Sequence, residues 1–145
     1  MLALGASLIS SAYKSLRRLA EETFTGEIAN WTAVNANITN ATNQLAVQAS
    51  STNGYAWMSI DTVPYTPCSY SITCTAFAGA GGNDAHILIG KTLTGTDNAS
   101  VDVTETNTFT GTFTTSTAQT KIFLVLMTNT NGVTAVWDNV TIDEV

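Results

Sequence analysis

Two aromatic side chains within one predicted strand are the residues best suited to hold a ligand. Tyr55 and Trp57 alternate with apolar residues between positions 56 and 60, and alternate side chains of a strand point to opposite faces. The pair therefore points away from the core, where flat rings suit the apolar faces of sugars. Tyr65 is expected on the same rim. The alternative is that the two rings cover a sheet edge or lie under another element.

Asp138 is the most informative carboxylate of the sequence. It alternates in phase with Val136, Val140 and Ile142, which places it on the expected inner face of the last strand. An unpaired buried charge is costly. The carboxylate must therefore accept hydrogen bonds, for instance from backbone N–H groups of the first loop, or bind a metal ion.

The sequence contains few candidates for catalytic residues. His86 is the single histidine, and its strand offers no obvious carboxylate partner, so a solvent-facing or satisfied imidazole is expected rather than a triad or metal centre. The sequence contains no G-x-S-x-G, P-loop or H-E-x-x-H motif. We predict that the chain is not an enzyme and needs no catalytic cofactor.

The two cysteines are predicted to be core residues. Cys68 and Cys74 lie in one apparent strand, where six steps of ~3.3 Å separate them by about 20 Å. A disulfide requires Cα atoms within about 7 Å, so the thiols are expected to stay free.

The charge balance argues against a nucleic-acid partner. The net charge is −6, and after residue 23 only Lys91 and Lys121 are basic, so the surface repels a phosphate backbone. Lys14, Arg17 and Arg18 are expected on a solvated helix face, with an acidic partner or a membrane surface as alternatives. No apolar run reaches the ~20 residues of a membrane span.

The beginning of the chain has helical spacing. Apolar residues recur every three or four positions and predict a helix over about residues 2–22. A helix this short is marginal alone in water, so its stripe must pack on the sandwich, on another copy or on another protein. The stripe supplies these expected assembly contacts: Leu8, Ile9, Tyr13, Leu16 and Leu19.

Residues 23–145 predict a second unit made of strands. Short alternating runs separated by turn signals such as Asn53-Gly54 and Asn131-Gly132 are typical of an all-β sandwich or barrel. One strand departs from alternation, because residues 121–127 are apolar on both faces. The outward set, Phe123, Val125 and Met127, must be covered, either by the predicted helix or by a neighbouring subunit.

The order of features after residue 23 resembles family-4/9-type carbohydrate-binding modules. The similarity runs through Trp31, a loop and strand over residues 63–73, an F-x-G-x-F run at 109–113, and the closing residues 135–144. The resemblance implies a jelly-roll β-sandwich. One departure is Pro67-Cys68, where the family usually has Pro-Gly.

The resemblance also implies a possible metal. In that family the residue matching Asp138 often ligates a structural calcium together with oxygens of the N-terminal segment. Glu27 and backbone carbonyls near Thr25 would be its partners here. Calcium takes six to eight oxygen ligands, and the alternative is that Asp138 only accepts backbone hydrogen bonds.

Two functions follow as expectations. A helical segment before a Thr- and Asn-rich β-domain is similar to small phage structural proteins, so our main prediction is a virion protein on the particle surface. Its helix would dock on other virion proteins or on further copies of itself, and its jelly roll would face outward. The alternative is a module that binds a surface polysaccharide through Tyr55, Trp57 and Tyr65.

Overall fold

The computed structural model describes residues 17–78 and 85–145, which form eleven β-strands. In chain order the strands are β1 Arg17–Glu22, β2 Thr32–Val34, β3 Ala36–Asn40, β4 Leu45–Ala49, β5 Gly54–Asp61, β6 Pro67–Ala78, β7 Ala85–Gly90, β8 Ala99–Val103, β9 Asn107–Thr114, β10 Lys121–Thr128 and β11 Thr134–Glu144. Within these ranges no helix offers the length and apolar character that a bilayer crossing demands.

The strands build two antiparallel sheets. The six-stranded sheet has the order β3-β4-β11-β6-β9, with β1 also paired to β11, and the five-stranded sheet has the order β2-β5-β10-β7-β8. Their inner faces enclose one core of buried side chains from both sheets. The predicted all-β sandwich is thereby confirmed.

Alternation in the central strands places the core. Met58 and Ile60 of β5 face Leu124 and Ile122 of β10 in the same register, and all four are buried. In β6, Ile72 and Cys74 are buried between half-exposed Ser71, Thr73 and Thr75. Burying a large aliphatic side chain stabilises the fold by about 1.5–3 kcal/mol, so a slip of one residue in either strand would be costly.

The helix prediction is wrong for residues 17–22. These residues form β1, which pairs antiparallel with the last part of β11. Arg17 Nε lies 3.0 Å from Glu144 Oε2 and Arg18 Nε lies 2.5 Å from Asp143 Oδ1, so ion pairs accompany the ladder. The sandwich therefore includes residues before the predicted boundary at 22/23, and the rest of the predicted helix lies outside the described residues.

The prediction that Asp138 faces the core is also wrong. The register of β11 against β6 shifts between Asp138 and Thr141, and Asn139 has φ 46°, which together mark a β-bulge. The extra residue reverses the phase, so that Trp137 and Val140 are both fully buried and Asp138 is half-buried on the outer side.

Both cysteines are free and buried on the inner side of β6, as predicted. Burial raises the pKa of the Cys68 thiol, and burial raises the pKa of the Cys74 thiol to about 11. A neutral, buried thiol is a poor nucleophile, because the thiolate is the reactive form.

We expect neither cysteine to react with an aromatic disulfide reagent at pH 8 in the folded protein. Both thiols should react once the protein is unfolded in guanidinium, and the two cysteines of the sequence give the expected end point. Absorbance of the released thiolate measures the reaction. Rapid native labelling of either residue would contradict this placement.

Candidate functional site

The outer face of the five-stranded sheet carries a row of apolar side chains across its three central strands. Val125 of β10 lies in register between Trp57 of β5 and Leu88 of β7, and Met127 lies between Tyr55 and His86. We call the following residues the outer strip: Tyr55, Trp57, Leu88, Phe123, Val125 and Met127.

Neighbouring side chains within the chain cover the middle of the outer strip. Val125 is 0% exposed and Met127 is 9% exposed, and they cluster with Leu88 beside Tyr55 and Trp57. Within the described residues, the inner face of β10 therefore packs in the core and the middle of its outer face packs in the outer strip. This packing needs neither the helix nor the neighbouring subunit predicted above.

The aromatic residues of the strip stay partly open. Tyr55, Trp57 and Phe123 are half-buried, and the Trp57 and Phe123 ring centroids lie 5.7 Å apart at an interplanar angle of 52°. Such tilted pairs stabilise each other's orientation by about 0.5–1.5 kcal/mol. The sequence correctly predicted that Tyr55 and Trp57 point away from the core, but it did not predict their contact with Phe123 and Val125.

A groove of about 580 Å³ opens where the strip reaches Phe123. Lys91 and Thr92 form one wall after β7. Residues 116–120 of the connection between β9 and β10 form the other, together with Lys121 at the start of β10. The groove thus combines one aromatic ring, two lysines and several hydroxyl groups, which is the mixture of apolar surface and placed polar groups that ligand sites use.

Gln119 fixes the wall of the groove. Its side chain is 4% exposed; Oε1 accepts a 2.9 Å hydrogen bond from Ser116 N, and Nε2 donates a 2.6 Å hydrogen bond to Asn98 Oδ1. Because Asn98 precedes β8, this pair ties the β9–β10 connection to the segment after Lys91. This bond could not be predicted from the sequence, since it joins residues from different loops.

The other end of the strip carries a polar group that was not expected. His86 Nδ1 lies 2.8 Å from Asp102 Oδ1, and its Nε2 contacts the side-chain amide of Asn129. The prediction of a satisfied imidazole is confirmed. Its carboxylate partner was not obvious from the sequence, because it comes from another strand: the pairing of β7 with β8 brings Asp102 beside His86.

Tyr65 lies apart from the other two predicted stacking residues. It follows β5, is 66% exposed and has φ 56°. Its backbone N–H donates to Thr115 O at 3.1 Å, one residue before the wall of the groove. Tyr65 is therefore held next to the start of the β9–β10 connection, whereas Tyr55 and Trp57 lie on the sheet itself.

The residues predicted to hold calcium are engaged in other ways. Asp138 Oδ1 accepts a 2.8 Å hydrogen bond from Asn139 N at the bulge, and Glu27 is exposed. The carbonyls of Phe24 and Gly26 accept hydrogen bonds from the Asn40 amide. Within residues 17–78 and 85–145, no three His, Cys, Asp or Glu side chains group as metal ligands. The donor set does not favour calcium, which stays an untested prediction.

The predicted assembly contacts divide into three groups. Leu8, Ile9, Tyr13 and Leu16 lie outside the described residues. Leu19 belongs to β1 and packs partly buried against the main core. The three outward residues of β10, which are Phe123, Val125 and Met127, belong to the outer strip.

Comparison with solved structures identifies the architecture. A CBM4 structure matches with a TM-score of 0.68 at 14% identity, over 85% of this chain and 97% of that one. The chain has a jelly-roll domain like those of carbohydrate-binding modules. The CBM22-1 xylan-binding domain from Paenibacillus barcinonensis Xyn10C matches with a TM-score of 0.62 at 17% identity, over 89% and 95% of the two chains.

One part of a phage protein has a similar fold. The enzymatically active domain of bacteriophage CBA120 tailspike protein 4 matches with a TM-score of 0.60 at 12% identity, over 86% of this chain and 20% of that one. No protein-family model and no curated protein matches the chain. At these identities the similarities establish the carbohydrate-binding-module-like fold and leave the function to be argued from the site.

Proposed function

We propose that this jelly-roll domain is a carbohydrate-binding module that holds a polysaccharide chain along the outer strip. The observation that carries the proposal is the half-open aromatic surface of Tyr55, Trp57 and Phe123 on the outer face of a rigid sheet. Apolar sugar faces pack on such rings, and the buried Val125 beneath keeps the surface in place.

Both ends of the strip offer hydrogen-bonding groups to sugar hydroxyls. The groove supplies hydroxyl and lysine donors at one end, and the group of His86, Asp102 and Asn129 supplies donors and acceptors at the other. An aromatic floor between two polar ends fits an extended chain of several sugars better than a single small molecule. The module would then act by binding, in keeping with the prediction that the chain is not an enzyme.

The virion interpretation has less support than the carbohydrate-binding one. It rested on a helical stripe, which is wrong for residues 17–22 and otherwise lies outside the described residues, and on an outward face of β10 that needed a partner. The outer strip covers that face from within the chain. The phage role, the particle-surface location and the homo-oligomer stay predictions, and similarity to a tailspike domain in fold alone adds no argument for them.

Replacing Trp57 with Ala tests the proposal. We expect Trp57→Ala to weaken polysaccharide binding about 30-fold, since losing a central aromatic contact costs about 2 kcal/mol or more. Affinity electrophoresis against a broad panel of soluble polysaccharides selects the ligand, and calorimetry measures the change. Trp57→Phe should retain most of the affinity because it keeps a flat ring.

The matched control is Thr110→Ala, which removes an exposed side chain from the outer side of the six-stranded sheet. It should bind like the original protein. Thermal unfolding of each variant checks that the fold persists. The proposal fails if no polysaccharide in the panel binds, or if a folded Trp57→Ala variant binds as tightly as the original chain.

A further inference from the structure

The positive charges of the described residues gather at one end of the five-stranded sheet. Lys91 and Lys121 line the groove next to Phe123. Arg17 and Arg18 line an adjacent hollow of about 340 Å³ together with Asp61, and Asp61 pairs with Lys121. Arg17 pairs with Glu144, and Arg18 pairs with Asp143 and Glu21. The two lysines beside Phe123 are therefore the cations that an anionic ligand would reach.

Each lysine of the groove keeps donors for a ligand. Lys121 Nζ lies 2.9 Å from Asp61 Oδ1, and Lys91 Nζ lies 3.7 Å from Asp97 Oδ1. An ammonium group has three N–H donors, so each pair leaves further donors open. Both lysine side chains are 55% exposed, and exposed pairs of this kind contribute little to stability. A carboxylate or sulfate of a ligand can therefore join or replace the aspartate.

We propose that the groove recognises an acidic polysaccharide, with a sugar ring on Phe123 and its carboxylate or sulfate between Lys91 and Lys121. This inference rests on the proposed function and adds the chemical class of the ligand. The bound chain would also have a direction, because the opposite end of the strip carries Asp102 instead of a cation.

A nucleic acid fits these observations less well. Tight binding of a phosphate backbone requires many basic contacts. The described residues contain four lysine and arginine side chains, of which Arg17 and Arg18 are already paired with Glu144 and Asp143. Two cations beside an aromatic ring suit a polymer that carries one negative group per sugar or fewer, along with many neutral hydroxyls.

The test compares each acidic polysaccharide of the panel with its own neutral form. Uronic-acid polymers are carboxyl-reduced and sulfated polymers are desulfated, which leaves the backbones unchanged and separates the two sources of charge. We expect the acidic form of at least one polymer to bind about tenfold tighter at low salt. The difference should shrink as NaCl is added, because salt screens exposed charges.

Lysine variants locate the effect. Lys91→Gln and Lys121→Gln should each lower affinity for the acidic form several-fold, by loss of a charge-assisted hydrogen bond, and leave affinity for the neutral form unchanged. Glu27→Gln, which changes the net charge at an exposed position, is the control. It should bind like the original chain if the groove, rather than the overall charge, selects the ligand.

The outcomes separate this inference from the proposed function. Equal binding of the acidic and neutral forms, or unchanged binding by folded lysine variants, overturns the acidic ligand and leaves the carbohydrate-binding module standing. If neither form of any polymer binds, both proposals fall. Lysine-dependent binding of single-stranded DNA without glycan binding would overturn both in favour of a nucleic-acid site.

Discussion

Trp137→Ala should lower the free energy of unfolding by about 3–5 kcal/mol, the range for deleting a large aromatic side chain from a core. Trp137 lies in β11 between β4 and β6, in register with Leu45 and Cys74, and is 0% exposed. Because small domains are stable by only about 5–15 kcal/mol in total, this change removes a large share. Urea unfolding monitored by far-UV circular dichroism measures the loss.

Trp137→Phe is the informative companion to that variant. The Trp137 indole Nε1 is buried without a hydrogen-bond partner, and an unsatisfied buried donor costs about 1–3 kcal/mol. Phe removes the unsatisfied donor and retains most of the ring. The free energy recovered by removing the donor therefore offsets part of the lost packing. We expect Trp137→Phe to retain at least half of the stability that Trp137→Ala loses. Equal losses for the two variants would contradict this expectation.

Alternation of side chains made the main strands predictable. The patterns of β5 and of β6 up to Thr75 are local, and burial follows them residue by residue. β10 was predictable instead as a continuous apolar run, and its residues from Leu124 to Thr128 are buried on both faces. The short β2 and β3 carry mostly exposed or half-exposed side chains, so they show no alternation to detect. Their pairing with β5 and β4 is fixed by contacts distant in sequence.

The helix prediction is wrong for residues 17–22 because these residues pair with a strand that is distant in the sequence. The β4 ladder on β11 ends at Trp137, so the residues of β11 from Val140 onward need another neighbour on that side. Pairing with β1 satisfies their backbone groups, and this tertiary contact overrides a weak local helix preference. Sequence periodicity alone carries no information about that free edge.

The functional site was only partly visible for the same reason. The outward direction of Tyr55 and Trp57 follows from alternation within one strand. In contrast, the groove forms only because the β7–β10 pairing brings Lys91 near Lys121. The phase of Asp138 depended on the bulge at Asn139, a residue type that tolerates positive φ. That asparagine was the one local signal that a simple alternation would break.

Gly54→Ala should destabilise the domain by about 1–3 kcal/mol or more, as overpacking does in closely packed interiors. Gly54 is the buried first residue of β5, directly before Tyr55 of the outer strip. A Cβ there would lie 2.6 Å from Ala49 Cα and 2.8 Å from Ala49 Cβ, and would also collide with the Asn35 carbonyl. These obstacles are mostly backbone atoms of two other strand ends, so they cannot move aside as a flexible side chain would.

Gly26→Ala provides the matched control, because a Cβ at Gly26 meets no atom within 4 Å. Its effect on unfolding should stay within about 0.5 kcal/mol, or be slightly stabilising through the lower entropy of the unfolded chain. Thermal and urea unfolding of both variants give the comparison. If Gly54→Ala is as stable as Gly26→Ala, the strand ends at Asn35 and Ala49 do not approach Gly54 as described. The start of β5, which positions Tyr55, would then also have to be placed differently.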